Sequence, residues 1–235
     1  MDYQQLSDRL EAVATHIQQG DFIADIGSDH AYLPAYLMLK NQISGAIAGE
    51  VVEGPYESAK HLVESLNLID KISVRLGDGL AVIKPTDQVT AITICGMGGT
   101  LIRDILDRGI QHGVLTGKER LILQPNVGEK ILRQWLVSHN YQIVDEELIE
   151  ENHKFYEIIV AEKATEMTEL TPNELLFGPV LLTRKNPIFA KKWQQEVREK
   201  YRVIDQLKQA TKNQDEKLKK LQQDIQQIEE VLVND

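Results

Sequence analysis

The chain has 235 residues, of which 42% are apolar and 26% are charged, with a formal net charge of −10. This length accommodates one full domain and a smaller appendage, and no apolar run is long enough to cross a bilayer. The single cysteine excludes an internal disulfide and a cysteine-rich zinc site. Because the first residues also lack the pattern of a signal peptide, we expect a cytoplasmic protein without a metal ion or a membrane partner.

The charge is distributed unevenly along the chain. Residues 184–220 contain 12 Lys and Arg against 5 Asp and Glu, a net of +7, whereas the remaining residues carry a net of −17. A basic segment on an acidic body can bind phosphates. It can equally be a solvated helix face, and charge alone does not separate these interpretations.

The first elements form a strand, a tight turn and a helix. Residues 3–18 have the apolar spacing of an amphipathic helix, residues 22–26 are an apolar strand, and residues 31–39 have a helical pattern. Between them lies the turn Asp25-Ile-Gly-Ser-Asp-His30. A strand followed by such a turn and a helix is typical of nucleotide-binding α/β units, where backbone amides at the helix start face the ligand.

The composition of this turn indicates the kind of ligand. Gly27 is its only glycine, so the dinucleotide pattern G-x-G-x-x-G is absent. Asp25 and Asp29 would repel a pyrophosphate but attract a ligand with an ammonium and a sulfonium group. The turn therefore disfavours NAD and favours S-adenosylmethionine (SAM).

Two acids follow the next predicted strands. Glu50 ends the strand over residues 43–49 and lies about 20 residues beyond Gly27, where a ribose-binding acid belongs; alternatively, it is a solvent-facing acid. Asp78, within Gly77-Asp78-Gly79, follows the strand over residues 71–76 and could accept a hydrogen bond from an adenine amino group, although the motif alone predicts only a turn.

Further candidates follow strands four and five. The strand over residues 89–94 precedes Cys95-Gly96-Met97-Gly98-Gly99, where glycines let a ligand approach the backbone. Cys95 has no neighbouring base in sequence, which favours a small buried residue over a nucleophile. Gln124 is the last residue of the strand over residues 120–124, and Asn126 follows it. Their amides either bind the Watson–Crick edge of a base or form a polar turn.

The last third of the chain changes character. Residues 141–149 and 155–161 predict adjacent antiparallel strands, and a linker over residues 162–169 predicts domains at 1–163 and 164–235. Residues 171–174 form a capping box. Apolar or small residues then repeat at three–four spacing from Ile204 through Thr211 to Leu232, which is typical of a coiled coil. A polar loop at 211–215 favours an antiparallel helix pair, although one long helix fits the same spacing.

Several motifs in this order resemble the bacterial tRNA (adenine-N1)-methyltransferase family TrmK, which acts at adenine 22. The resemblance rests on residues 25–34, Gly49-Glu50, 77–79, 95–99, 123–126 and the helical tail. It implies an α/β fold of the class I methyltransferase type. This fold has a Rossmann-like, seven-stranded, mostly parallel sheet with one antiparallel strand, here followed by a C-terminal helical coiled-coil domain.

The resemblance also implies SAM as cofactor and tRNA as partner. The residues that we expect to bind the cofactor are Asp25, Gly27, Ser28, Asp29, Glu50, Gly77, Asp78, Gly79, Cys95, Gly96 and Met97. The expected catalytic residues are Asp29, which would stabilise the cationic product, His30, which would relay a proton or contact the base or else be structural, and Asn126. The residues that we expect to bind tRNA are Tyr32, for which core packing is the alternative, Gln124, Asn126, Arg184, Lys185, Lys191, Lys192 and Arg198. We expect a monomer or a weak homodimer.

Two other functions fit the same fold. A SAM-dependent methyltransferase acting on a small molecule would have no need of the basic tail. A non-catalytic SAM-binding or scaffolding protein would act through its coiled coil, although the intact acids Asp25, Glu50 and Asp78 argue against a decayed site. An NAD enzyme fits least well.

Overall fold

The computed structural model describes residues 2–167, 169–208 and 214–233. The chain divides into two compact units, Met1–Thr183 and Arg184–Asp235. The first unit contains all seven strands described: β1 to β7 are Phe22–Ile26, Gly45–Glu50, Ile72–Leu76, Ala91–Gly98, Arg120–Val127, Tyr141–Glu151 and Lys154–Lys163. The helices α1 to α9 are Asp8–Thr15, Tyr32–Leu39, Glu53–Ser65, Gly99–Gln111, Glu129–Ser138, Pro172–Phe177, Pro179–Arg184, Pro187–Lys208 and Asp215–Val233.

The strands form one sheet in the order β3-β2-β1-β4-β5-β7-β6. Strands β1 to β5 pair in parallel, and β7 runs antiparallel to both β5 and β6. This arrangement confirms the predicted seven-stranded, mostly parallel sheet with one antiparallel strand. The strand order reverses between β1 and β4, and open α/β sheets bind ligands outside the carboxyl ends of the strands at such a point. The turns after β1 and β4 therefore meet where a ligand is expected.

The central strands are apolar because helices cover both faces of the sheet. Every residue of β2 is buried, as are four of the five residues of β1, which is typical of parallel strands. Helix α1 is shorter than predicted, because the Ser7 side chain accepts from the Leu10 amide and caps the helix there. Strand β4 is longer than predicted and reaches Gly98 with register shifts after Cys95.

The division between the units falls after Thr183, twenty residues later than the sequence indicates. Helices α6 and α7 stay with the sheet because buried side chains bind their backbone. The Arg133 guanidinium donates to the Leu176 carbonyl oxygen at 3.3 Å, and the Glu146 carboxylate accepts from the Val180 amide at 2.9 Å. The composition change near residue 163 marks the end of the sheet and not the end of the unit.

The second unit contains an antiparallel pair of helices, α8 and α9. The Lys185 ammonium donates to the Val231 carbonyl oxygen at 3.0 Å, and Lys200 pairs with Asp224 at 3.7 Å. The first contact joins the residues just before α8 to the last turn of α9, and the second joins the middle parts of the two helices. The two helices therefore run in opposite directions. Ile204, at a predicted apolar position, is buried. Residues 211–213 of the predicted loop, including the predicted Thr211 position, lie outside the described residues.

Candidate active site

The turn after β1 has an unusual backbone. Asp29, His30 and Ala31 have φ angles of 44°, 67° and 58°, so three consecutive residues other than glycine are left-handed. Each such residue costs roughly 1–2 kcal/mol, and this strain persists only where the surroundings hold it. Here the Glu50 carboxylate accepts from the Asp29 amide at 2.6 Å. Gly27 precedes these residues with a φ of +70°, a backbone conformation that glycine adopts without the strain that a Cβ would bring.

Asp25 is held at the base of this turn with both carboxylate oxygens bonded. Ser28 Oγ donates to Oδ2 and Thr93 Oγ1 donates to Oδ1, each at 2.6 Å. Burial raises the pKa of Asp25, while these two hydrogen bonds and the charge of Arg9 oppose the rise. The carboxylate is thereby oriented before any ligand arrives.

A cavity of about 240 Å³ opens above the turn, at the carboxyl ends of β1 and β4. It brings together seven of the residues predicted to bind the cofactor, namely Asp25, Gly27, Ser28, Asp29, Cys95, Gly96 and Met97. Arg9 contributes the only positive charge among the residues that line it. The described cavity is therefore acidic with a single cation at its wall.

Glu50 and Asp78, the two acids predicted to bind the rest of the nucleoside, lie in different surroundings. Glu50 is buried beside the cavity, and its pKa is raised by burial and by the charges of Asp25 and Asp29, against the effect of the Asp29 amide. The Asp78 side chain is 68% exposed and pairs with Arg108 at 3.2 Å.

Asp78 also lines a second cavity, which does not contain the residues of the first. Its neighbours Gly77 and Gly79 are likewise not among the residues that line the first cavity. The Gly77 amide nevertheless donates to the Glu50 carbonyl oxygen at 2.8 Å, which keeps this turn beside the end of β2.

The Cys95 residue is half-buried and lies within β4, just before its register shifts. Burial and the nearby Asp25 charge raise its pKa, against weaker opposition from Arg9. The thiol is therefore protonated at neutral pH, which agrees with a packing residue and not with a nucleophile.

Gln124 and Asn126 form a hydrogen-bonded group with Arg9 and Gly96. Gln124 Oε1 accepts from Arg9 Nη1 at 2.6 Å and from the Gly96 amide at 3.0 Å. Gln124 Nε2 donates to the Pro125 carbonyl oxygen at 2.8 Å and to Asn126 Oδ1 at 3.2 Å. Because Gln124 is fully buried, the prediction that its amide contacts a base is corrected: it orients its neighbours.

Two other members of this group, Asn126 and Arg9, differ in their surroundings. Asn126 is exposed, and its Nδ2 donates to the Gly96 carbonyl oxygen at 2.8 Å. Arg9 lies 5.7 Å above the Tyr156 ring. Arg9 lies on an amphipathic helix, where a charged residue is expected for solubility alone. Its position in the sequence therefore does not indicate that it binds Gln124.

His30 and Tyr32 lie together at the start of α2. Their rings stack with centroids 5.3 Å apart, and His30 Nε2 lies 3.6 Å from Asp29 Oδ1. Tyr32 is half-buried and packs against the core, while the Asp29 side chain is 71% exposed. Asp29 and His30 thus remain accessible to a substrate at the mouth of the turn.

The basic residues predicted to bind tRNA belong to the second unit. Arg184, Lys191 and Arg198 are exposed. Lys185 and Lys192 also support their own unit, since Lys185 bonds the Val231 carbonyl oxygen and Lys192 lies 4.9 Å over the Trp193 ring.

Two other kinds of site are not found in the part of the chain that the structure describes. No group of three or more His, Cys, Asp or Glu side chains there could hold a metal ion. None of the described helices is long and apolar enough to span a membrane.

Comparison with known proteins finds similarity along most of the chain. Residues 23–230 match the TrmK family, described as tRNA (adenine(22)-N(1))-methyltransferase. The chain is 46% identical to the tRNA (adenine(22)-N(1))-methyltransferase of Bacillus subtilis, over 99% of each protein.

Solved structures of similar proteins contain the predicted cofactor or its product. Streptococcus pneumoniae Sp1610, in complex with S-adenosyl-L-methionine, is 47% identical with a TM-score of 0.89, covering 97% of this chain and 100% of that one. Mycoplasma capricolum TrmK, in complex with S-adenosyl-homocysteine (SAH), is 31% identical with a TM-score of 0.84, covering 97% of each chain.

Proposed function

The chain belongs to the tRNA (adenine(22)-N(1))-methyltransferase family, and we propose that the acidic cavity between β1 and β4 is where it holds SAM for methyl transfer to tRNA. The enzyme is a SAM-dependent methyltransferase of this class. The observation that carries the assignment of the cavity is the oriented Asp25 at the point where the strand order reverses, with Asp29 and Glu50 beside it.

The residues present fit SAM better than a phosphate-containing cofactor. Asp25, Asp29 and Glu50 offer negative charge to an ammonium and a sulfonium, whereas a pyrophosphate would meet repulsion. The volume of about 240 Å³ is below the range typical for a pocket that encloses a whole ligand of this size. The cavity therefore suits the methionine end, and Glu50 suits the ribose hydroxyls beyond it.

The chemistry places few demands on the protein. SAM supplies an electrophilic methyl group, and adenine N1 carries an in-plane lone pair that attacks without prior deprotonation. The protein's part is to position the base and exclude water. Asp29 is exposed at the rim and stabilises the positive charge that develops on the adenine. His30, stacked on Tyr32, contacts the base or orients Asp29.

The basic face of the second unit supplies the remaining interaction. Arg184, Lys191 and Arg198 contact tRNA phosphates, with Lys185 and Lys192 adding to the local positive charge. The acceptor adenine leaves its own stacked position in the tRNA to reach the cavity. As a tRNA-modifying enzyme the protein acts in the cytoplasm, and it acts as a monomer or a weak homodimer.

Methyl transfer from labelled SAM to an unmodified tRNA transcript tests this function. We expect N1-methyladenosine in the digested product, and no label in a transcript with guanine in place of adenine 22. Another methylated nucleoside would contradict the assigned acceptor atom. Binding of SAM without any transfer to tRNA would favour a small-molecule acceptor or a scaffold.

A further inference from the structure

The amide of Asn126 is the exposed end of a hydrogen-bonded ring that includes Gln124 and Gly96. The Gly96 amide donates to Gln124 Oε1, Gln124 Nε2 donates to Asn126 Oδ1, and Asn126 Nδ2 donates to the Gly96 carbonyl oxygen. Arg9 adds a second donor to Gln124 Oε1 at 2.6 Å. Gly96 also lines the proposed SAM cavity, so the ring lies at its edge.

The donors in this ring fix the direction of both side-chain amides. An arginine guanidinium and a backbone N–H can only donate, so the Gln124 atom that faces Arg9 and Gly96 has to be its oxygen. Its nitrogen then faces the Pro125 carbonyl oxygen and Asn126. Asn126 must consequently turn its oxygen towards Gln124 and its nitrogen towards the Gly96 carbonyl.

Asn126 therefore presents a fixed polarity to solvent. An asparagine amide has two hydrogens and two oxygen lone pairs, and the ring uses one of each. One lone pair on Oδ1 and one hydrogen on Nδ2 remain on an exposed side chain. A free asparagine could reverse these groups to suit either purine, whereas this one cannot do so without breaking the ring.

We propose that Asn126 Oδ1 selects adenine by accepting a hydrogen bond from the exocyclic N6 amino group, and that Arg9 and Gln124 are positioning residues that keep this oxygen in place. N1 has to face the methyl donor, so the amino group beside it is the feature of adenine that a neighbouring acceptor can recognise. Guanine carries the acceptor O6 at the same place and would be repelled. This inference rests on the proposed function, since it requires the acceptor base at this edge of the cavity.

Matched tRNAs with adenine or unsubstituted purine at position 22 measure the contribution of the amino group. Their dissociation constants are determined with saturating SAH, so that differences in N1 reactivity do not enter. For the unmodified enzyme we expect purine to bind about tenfold more weakly than adenine, the effect of one hydrogen bond.

The variant Gln124→Glu tests the positioning role. A carboxylate still accepts from Arg9 and Gly96 but cannot donate to Asn126, so the polarity of the Asn126 amide is lost. We expect this variant to bind the two tRNAs within twofold of each other. Gln142→Glu, at an exposed position on β6, is the matched control and should retain the tenfold preference. Arg9→Lys should retain most of the preference for adenine, because the lysine ammonium also donates hydrogen bonds and cannot accept them.

The outcomes separate this inference from the function on which it depends. If the unmodified enzyme methylates adenine 22 but binds both tRNAs equally, or if Gln124→Glu keeps the tenfold preference, the inference is overturned while the function stands. If the enzyme neither binds nor methylates the adenine tRNA, the function itself fails. Should Gln124→Glu not bind SAH, Asn126→Ala replaces it, because this exposed side chain can be removed without disturbing the core, and a retained preference would again overturn the inference.

Discussion

Removal of the Arg133 guanidinium should destabilise the first unit more than any surface substitution. Arg133 and Glu146 have no exposed side-chain area and Glu157 has 1%, and the guanidinium binds both carboxylates. Gly178 packs against the same group, since a Cβ there would lie 2.5 Å from Glu146 Oε2. In Arg133→Met two buried carboxylates lose their shared cation, which typically costs about 3–5 kcal/mol of the free energy of unfolding.

The loss in Arg133→Met should also depend on pH. Burial already raises the pKa of Glu146, against the opposing charge of Arg133, so removing that charge raises the pKa further. A carboxyl group whose pKa is higher in the folded state contributes stability at low pH and loses it as the pH rises towards the folded pKa, at about 1.4 kcal/mol per pH unit for each proton. The variant should therefore be closer in stability to the unmodified protein near pH 4.5, the ordinary pKa of a glutamate, than at neutral pH.

Urea denaturation at both pH values, followed by circular dichroism, measures this difference. Arg202→Met is the matched control, because Arg202 is 72% exposed and its pair with Glu199 is a surface pair, worth about 0–1 kcal/mol. A loss below about 1 kcal/mol in Arg133→Met, or a loss that is the same at both pH values, would refute the reasoning.

Three further outcomes are expected. Asp29→Asn should lower kcat about three- to tenfold at saturating SAM and tRNA, and unchanged turnover would remove Asp29 from the charge-stabilising role. Replacing Lys191 and Arg198 with Gln should weaken tRNA binding and reduce the slope of log K against log salt by about 1–2, while the same change at the exposed Lys60 and Lys154 should have a smaller effect on both quantities. The Arg75 hydrogen bonds lower the pKa of Asp87 below its ordinary value of 3.8. The unmodified protein should therefore be more stable than Asp87→Asn at neutral pH, and this difference should disappear as the pH falls below about 3.8. A difference that persists at lower pH would contradict this assignment.

The parallel sheet and the turns that line the cavity could be predicted from the sequence. Apolar runs punctuated by polar turns locate buried strands, and the chemistry of Asp25 and Gly27 is local to one turn. The left-handed turn itself was not predictable, because Asp29, His30 and Ala31 are not residues that favour positive φ as glycine does. It is held by Glu50, twenty-one residues away along the chain.

Contacts across the fold account for the other differences. Arg9 reaches Gln124 over 115 positions of sequence, and only the folded sheet brings α1 beside β5. Asp78 occupies the predicted position in the chain, but its side chain is exposed and pairs with Arg108 on α4. In each case the order of elements follows from local patterns, whereas the direction of a side chain depends on a partner that no local pattern identifies.

The buried acids of the cavity make the stability of the free enzyme and its affinity for SAM respond to pH in opposite directions. Burial raises the pKa of Asp25 and of Glu50 above their ordinary values of 3.8 and 4.5. Each group therefore contributes stability to the free enzyme below those values and loses it as the pH rises through the folded pKa. In the same window the acids become charged and able to attract the ammonium and the sulfonium.

Thermal unfolding with and without SAM distinguishes the two effects. As the pH rises above about 4.5, the ordinary pKa of a glutamate, we expect the melting temperature of the free enzyme to fall, while SAM affinity increases by up to about tenfold. Glu50→Gln should reduce both changes, and Glu53→Gln, an exposed neighbour on α3, should leave them intact. If SAM affinity were constant across this range, the acids would not face the cationic end of SAM. The strained turn and its buried carboxylates would then need another explanation.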